Sequence, residues 1–160
     1  MSEQLLIKNA HIIGAGEPFD GDILVEDGRI SAVGNIEAPS ACEIIDAEGL
    51  VAAPGLIDLH VHLRDPGLTH KEDIISGCKA AAAGGVTGVV AMPNTKPSVD
   101  NIETLEYILE KSKDATAKVY PVAAVTKGLL GEELVDFEAL SEAGACAFSD
   151  DGEPVKTALF

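Results

Sequence analysis

The stretch "LIDLHVHLRDPG" at residues 56–67 decides the fold, and it holds two of the four histidines of the 160-residue chain. Its first part alternates apolar and polar residues, which predicts a β-strand over residues 56–62. Residues two apart in a strand point to the same face, so His60 and His62 project together with Asp58. The other face is apolar throughout and suits packing under helices.

From residue 54 onward, strand-like and helix-like segments alternate. Further strands are predicted at 86–92, 118–125 and 145–150, with helices between them that begin at a capping box from Thr69 to Glu72, within 100–103, and at 136. This β-α-β-α-β-α-β order predicts a parallel sheet covered by helices. A doubly wound open sheet and part of a (β/α)₈ barrel are the alternatives. No glycine-rich phosphate loop follows the first strand, which disfavours a nucleotide-binding open sheet.

Residues 1–53 contain short branched-apolar runs, among them Leu5–Ile7 and Ile12–Ile13, which are typical of brief strands. Asp27-Gly28 predicts a two-residue type I′ hairpin. We therefore expect a small β-rich domain segment at 1–53 and the first four β/α units of a barrel at 54–160. A whole barrel needs roughly 250 residues, so the barrel is expected to be truncated. The last stretch, "EPVKTALF" (153–160), is predicted to open another helix.

Charge and composition exclude several classes of partner. The formal net charge of −16 argues against nucleic acid and anionic membranes, since both attract basic surfaces. No run of ~18 apolar residues suits a membrane span, and the N-terminus lacks the layout of a signal peptide, so a cytoplasmic location is expected. The three cysteines form no CxxC pair, which disfavours a disulfide framework or a cysteine-based zinc site.

The histidine pair lies at the carboxyl end of a predicted parallel strand, where α/β proteins place their sites. Two adjacent imidazoles repel when both are charged, and a divalent metal removes that repulsion. Two other strand ends carry polar residues: Asn94 in "AMPNTKP", and Asp150 with Asp151 in "FSDDG". Structural histidines and plain turns are the alternative interpretations. Strand alternation allows only one of the two aspartates to face inward, and spacing alone leaves open which one.

Together, "PGLIDLHVHLRDPG", "MPNTKP" and "AFSDDG" resemble the dihydroorotases of the amidohydrolase superfamily, in the type whose metal ligand on strand four is aspartate. The resemblance covers the whole chain. It implies an α/β fold: the N-terminal half of a (β/α)₈ metal-dependent hydrolase barrel, preceded by a small β-rich domain segment.

The resemblance also implies roles for individual residues. His60, His62 and Asp151 correspond to ligands of one or two zinc ions, and Asp58 is expected to steady a ligand histidine. Substrate binding is assigned to His62, Arg64 and Asn94, the last two holding the substrate carboxylate. The general acid/base is expected on strand eight and further zinc histidines on strands five and six. No catalytic residue is therefore expected within this chain, and the 160 residues alone should be inactive.

The implied reaction is the reversible hydrolysis of dihydroorotate to N-carbamoyl-aspartate in de novo pyrimidine synthesis, with this small anion as the partner. Hydantoinases and allantoinases share the histidine pair but act on neutral rings, whereas Arg64 and Asn94 favour a ring that carries a carboxylate. A further alternative is a catalytically silent dihydroorotase-like scaffold that binds aspartate transcarbamoylase. Such scaffolds typically lose the metal histidines, which this chain keeps. A homo-oligomer is left open.

Overall fold

The computed structural model describes residues 4–14 and 16–156, which divide into two compact units between Pro54 and Gly55. The first unit is a five-stranded sheet of order β3-β2-β1-β4, with β5 also pairing β1. Its strands are β1 (Gln4–Ile12), β2 (Phe19–Glu26), β3 (Arg29–Gly34), β4 (Glu43–Asp46) and β5 (Val51–Ala52). β1 to β3 are antiparallel neighbours, whereas β4 and β5 run parallel to β1.

β1 joins two runs that the sequence presents as separate strands. The interruption between them is a bulge at Asn9, whose φ is 61°. The backbone N–H groups of Asn9 and Ile36 donate to the buried Asp22 carboxylate at 3.0 and 3.1 Å, and these bonds lower the pKa of Asp22. The predicted type I′ hairpin is confirmed, since Asp27 and Gly28 both have positive φ, at 50° and 75°.

The second unit is a four-stranded parallel sheet of order β6-β7-β8-β9 with helices in the connections. Its elements are β6 (Leu56–Val61), α1 (Ile74–Ala83), β7 (Val86–Ala91), α2 (Ile102–Lys111), β8 (Lys118–Ala123), α3 (Phe137–Glu142) and β9 (Ala147–Phe148). Sequential strand order is that of a (β/α)₈ barrel, whereas doubly wound sheets reverse order at a switch point. The expected barrel half is therefore confirmed over the open sheet.

The core of this unit lies between the sheet and the apolar stripes of the helices. Its fully buried members include Ile74 and Cys78 on α1, Leu105 on α2 and Leu140 on α3, which pack with Val89 of β7. Burial of each large apolar side chain contributes roughly 1.5–3 kcal/mol. The same burial raises the pKa of the Cys78 thiol. None of the helices in the described ranges has the length and apolar character that a bilayer span requires.

The predicted start of α1 is wrong. The helix begins at Ile74, and its capping box joins Asp73 and Ser76, whereas Thr69 to Lys71 form a turn. Glu72 accepts hydrogen bonds from the backbone of Asp73 and the hydroxyl of Ser76, so its side chain braces the helix from outside the first turn. α2 begins after Asn101, inside its predicted window. Residues 157–160 of the expected last helix lie outside the described residues.

Candidate metal and substrate site

Three strand ends bring the predicted site residues together. His60 is near the end of β6 and His62 follows that strand, Asn94 follows β7, and Asp151 follows β9. Because the strands are parallel, their carboxyl ends meet at one edge of the sheet. His60 and Asp151, which are 91 positions apart in the chain, thus become neighbours.

The two imidazoles face one carboxylate. His60 Nε2 lies 3.0 Å from Asp151 Oδ1, and His62 Nε2 lies 3.8 Å from Asp151 Oδ2. The rings pack edge to face with centroids 5.2 Å apart. Asp151 is the least exposed of the three side chains at 17%, whereas His60 is 58% exposed and open to an incoming ligand. The arrangement places two nitrogen donors and a carboxylate around a common point.

The donor chemistry of this group suits a transition metal. One ligand atom from each of His60, His62 and Asp151 lies within 4.8 Å of the others, and no other trio of this kind occurs in the described part of the chain. Two imidazole nitrogens with a carboxylate oxygen match the ligands that zinc accepts in catalytic sites, where a fourth position stays available. The residues therefore fit a bound divalent metal.

Asn94 links the histidine to the aspartate and fixes the histidine tautomer. Its Nδ2 donates to Asp151 Oδ2 at 2.5 Å, so its Oδ1 faces His62 Nδ1 at 2.9 Å. A carbonyl oxygen only accepts, which means that Nδ1 of His62 carries the hydrogen. In the neutral imidazole Nε2 then has a free lone pair toward Asp151, which is the form that binds metals.

The neighbouring aspartates have different surroundings. Asp150 is buried, and its carboxylate accepts from the backbone N–H groups of Val125 and Thr126 at 2.8 and 3.0 Å and from the Thr126 hydroxyl. Asp151 adopts a φ of 54° and turns its carboxylate toward the histidines. Of the two aspartates that spacing left open, Asp151 is therefore the one next to His60 and His62.

Arg64 reaches this edge from outside the strand. β6 ends at Val61, one residue before the predicted end at 62, and Arg64 has a φ of 60°. Its Nη1 lies 3.5 Å from the backbone oxygen of Asn94. A left-handed turn, and not strand alternation, thus brings the guanidinium beside the asparagine.

Asp58 contacts the backbone of the site and not an imidazole. Its Oδ1 accepts from the backbone N–H of His60 at 3.1 Å, so it braces the strand that carries the ligand histidine. Two features escaped the sequence analysis: the two hydrogen bonds of the Asn94 amide, and an ion pair between the buried Asp65 and Lys111. The charges of the loop after β6 are visible in the sequence, but a partner of Asp65 forty-six positions away is not.

Comparison with known proteins identifies the family of this chain. A family model described as dihydro-orotase-like matches residues 49–159. The chain belongs to this family. It is 52% identical over 156 residues to a dihydroorotase of Aquifex aeolicus and 49% identical over 154 residues to one of Clostridium acetobutylicum. These matches cover 95% and 94% of this chain but only 37% and 36% of the relatives, so the chain spans little more than a third of their length.

Solved structures support the fold of this dihydroorotase-like chain. An L-hydantoinase from Arthrobacter aurescens superposes with a TM-score of 0.79 at 24% identity, over 92% of this chain and 32% of its own. A crystal structure of a dihydroorotase gives a TM-score of 0.62 at 20% identity, over 91% and 42% of the two chains. At these identities the likeness concerns the architecture, and it agrees with the barrel order of β6 to β9.

Proposed function

We propose that this chain carries the first half of the active site of a zinc-dependent dihydroorotase, which hydrolyses dihydroorotate reversibly to N-carbamoyl-aspartate in pyrimidine synthesis in the cytoplasm. One observation carries the proposal. Asn94 hydrogen-bonds both His62 and Asp151, and its backbone oxygen contacts Arg64. The side chains that can bind a metal therefore lie next to a cation that can bind a carboxylate. Membership of the family and the relatives named dihydroorotase support the same activity.

In this proposal His60, His62 and Asp151 hold the zinc. When bound, zinc acts as a Lewis acid that activates water and polarises the ring carbonyl. The Nδ1 hydrogen bond of His62 to Asn94 keeps its Nε2 oriented for metal binding, and Asp58 holds the His60 backbone in place. The number of ions, one or two, is not part of the proposal.

Arg64 and Asn94 are proposed to hold the substrate carboxylate, with His62 contacting the substrate from the metal side. Only 11 lysines and arginines oppose 27 acidic residues in the chain, so a local cation is needed to hold an anionic ring against the overall field. The planar guanidinium can form two parallel hydrogen bonds to a carboxylate. Asn94 can add an amide donor at the same edge.

The reaction breaks the ring C–N bond with one water. Oxygen adds to the carbonyl carbon, the ring nitrogen leaves with a proton, and a second carboxylate forms. A group that moves protons is needed near the attacked carbon. That group is proposed to lie on the eighth strand of a protein with the length of the relatives, together with further histidines. Activity is therefore assigned to the complete protein.

The alternatives make different predictions for the same residues. A silent scaffold that partners aspartate transcarbamoylase would have no use for a grouped His60, His62 and Asp151. A hydantoinase or allantoinase would need the metal group but not a cation for a substrate carboxylate. The solved hydantoinases resemble this chain in fold, so the substrate has to be tested directly.

The test uses the complete protein with dihydroorotate as substrate and zinc measured by elemental analysis. His60→Ala and His62→Ala should each reduce bound zinc and bring hydrolysis to background. His70→Ala is the matched control, because His70 is an exposed residue in the turn before α1 and should change neither quantity. Wild-type protein without dihydroorotase activity, or variants that keep full zinc and full activity, would defeat the proposal.

A further inference from the structure

A buried carboxylate that the proposed reaction does not use lies directly after Arg64. The side chain of Asp65 is completely inaccessible to solvent. A buried carboxylate is costly unless it is paired and hydrogen-bonded. Its presence one residue from the cation that is proposed to bind substrate suggests a function for the pairing.

Both partners of Asp65 lie one turn apart on α2. The Tyr107 hydroxyl donates to Asp65 Oδ1 at 2.9 Å, and the Lys111 ammonium lies 2.5 Å from Oδ2. Lys111 also donates to the Tyr107 oxygen at 3.3 Å, which closes a triangle of polar groups. The hydrogen bond to Asp65 raises the pKa of Lys111. Lys111 therefore stays charged around neutral pH, and its contact with Asp65 links the loop to the helix.

The link holds one end of a turn that two backbone hydrogen bonds also support. Arg64 has a φ of 60°, which L-residues adopt at a cost in free energy. The turn is closed by a hydrogen bond from Leu68 N–H to the Arg64 oxygen at 3.0 Å, and Pro66 accepts from Lys96 N–H at 3.0 Å. Release of Asp65 would let the turn relax, and the guanidinium of Arg64 would leave the Asn94 backbone oxygen.

We propose that the buried Asp65 carboxylate, held by Tyr107 and Lys111 at the surface of α2, is an anchor that positions Arg64 for the substrate carboxylate. Asp65, Tyr107 and Lys111 are positioning residues and do not touch the substrate. The anchor makes α2 a determinant of specificity for anionic rings, although the helix contributes no group to the site. This inference rests on the proposed dihydroorotase function.

The experiment is a double-mutant cycle in the complete protein between Lys111→Met and Arg64→Met. Lys113→Met is the matched control, because Lys113 lies two positions further, is 68% exposed and pairs with the surface residue Glu110. Lys111→Met should raise KM for dihydroorotate by roughly tenfold or more with zinc content unchanged, and Lys111→Arg should recover part of the loss. In the Arg64→Met background Lys111→Met should change KM by less than about twofold.

Amide hydrogen exchange of the segment 63–68 gives a second readout that does not depend on activity. Lys111→Met should speed exchange there by roughly tenfold or more, and Lys113→Met should leave it unchanged. Equal effects of Lys111→Met in both Arg64 backgrounds, or unchanged exchange in 63–68, would overturn the anchor while the proposed function stands. Wild-type protein without dihydroorotase activity overturns the proposed function. An Arg64→Met variant with wild-type kinetics on dihydroorotate leaves that function standing and overturns the anchor, because Arg64 then does not hold the substrate carboxylate.

Discussion

Arg64 is the residue on which the proposed choice of substrate depends. It lies in a chain with a large excess of acidic groups, and its guanidinium contacts the backbone oxygen of Asn94, whose side chain hydrogen-bonds His62 and Asp151. A neutral ring would draw no benefit from this charge. In the proposed function this side chain separates a dihydroorotase from enzymes that open uncharged cyclic amides.

Arg64→Met in the complete protein should lower kcat/KM for dihydroorotate by roughly 10²–10⁴-fold. Charged hydrogen bonds contribute about 1.5–3 kcal/mol each, and about 1.4 kcal/mol corresponds to one decade. Arg64→Lys keeps the charge without the planar fork and should fall between wild type and Arg64→Met. Steady-state kinetics with dihydroorotate and with a neutral cyclic amide measure the effect. Equal losses on both substrates would remove the assigned role in carboxylate binding.

At the scale of single residues, the sequence predicts which side chains form the candidate site but not how they are arranged. His60 and His62 could be expected on one face because a strand alternates with period two. Which of Asp150 and Asp151 faces the histidines could not be expected from the sequence. β9 ends at Phe148, and the backbone N–H groups that hold Asp150 come from Val125 and Thr126, twenty-five and twenty-four positions earlier. Contacts between distant segments decide such questions.

At the scale of elements, the order of strands and helices follows from local patterns, whereas the helix starts do not. Alternation and branched apolar runs predicted the parallel strands from β6 to β9, and the sheet confirms them. Both Thr69-x-x-Glu72 and Asp73-x-x-Ser76 have cap-like spacing. The second is used: Asp73 accepts from the backbone N–H groups of Ile75 and Ser76, whereas Thr69 to Lys71 form a separate turn.

Asp73→Ala should lower the melting temperature by roughly 2–8 °C, whereas Thr69→Ala should have little effect. The carboxylate accepts from Ser76 and Ile75 N–H, which lowers the pKa of Asp73 in the folded state. A lowered folded pKa gives stability that is present above the unfolded value of about 4 and is lost as pH falls through the folded pKa. The melting temperature of Asp73→Ala should therefore lie below that of Thr69→Ala at pH 7. Thermal unfolding of both variants should show this difference disappear as the pH is lowered to 2.

Gly67→Ala should destabilise the second unit more than Gly85→Ala. Both glycines have left-handed φ, at 84° and 79°, but a Cβ at Gly67 would lie 1.8 Å from the Lys96 backbone oxygen, whereas one at Gly85 meets nothing within 4 Å. The conformation alone costs about 1–2 kcal/mol. The collision should add roughly 2 kcal/mol or more, because a backbone oxygen cannot swing aside. Denaturant unfolding measures the difference, and equal values would contradict the close approach.

At the scale of the whole molecule, β6 is an edge strand of the described parallel sheet and carries a row of apolar side chains. Leu56, Ile57 and Leu59 are exposed by 63%, 58% and 72%. An open edge beside an apolar face is a template for pairing with another chain. We expect this edge to make the 160-residue chain prone to association.

The purified chain should self-associate as its concentration rises, and Leu59→Lys should shift that association to concentrations roughly tenfold higher or more. A lysine on an edge strand opposes pairing by charge and by hydration. Leu130→Lys is the control, because Leu130 is 57% exposed but lies outside any strand. Sedimentation velocity over a concentration series measures the effect. If the two lysine variants behave alike, general charge and not the β6 edge governs association.

The adjacency of Asp150 and Asp151 limits how the chain can change in length. One carboxylate is tied to the backbone at Val125 and Thr126, and the next is turned to the histidines, with no residue between them to absorb a shift. One residue inserted or deleted next to this pair would take both Asp150 and Asp151 out of their contacts together. The tip of the Asp27-Gly28 hairpin, which is exposed, is where added residues should be tolerated.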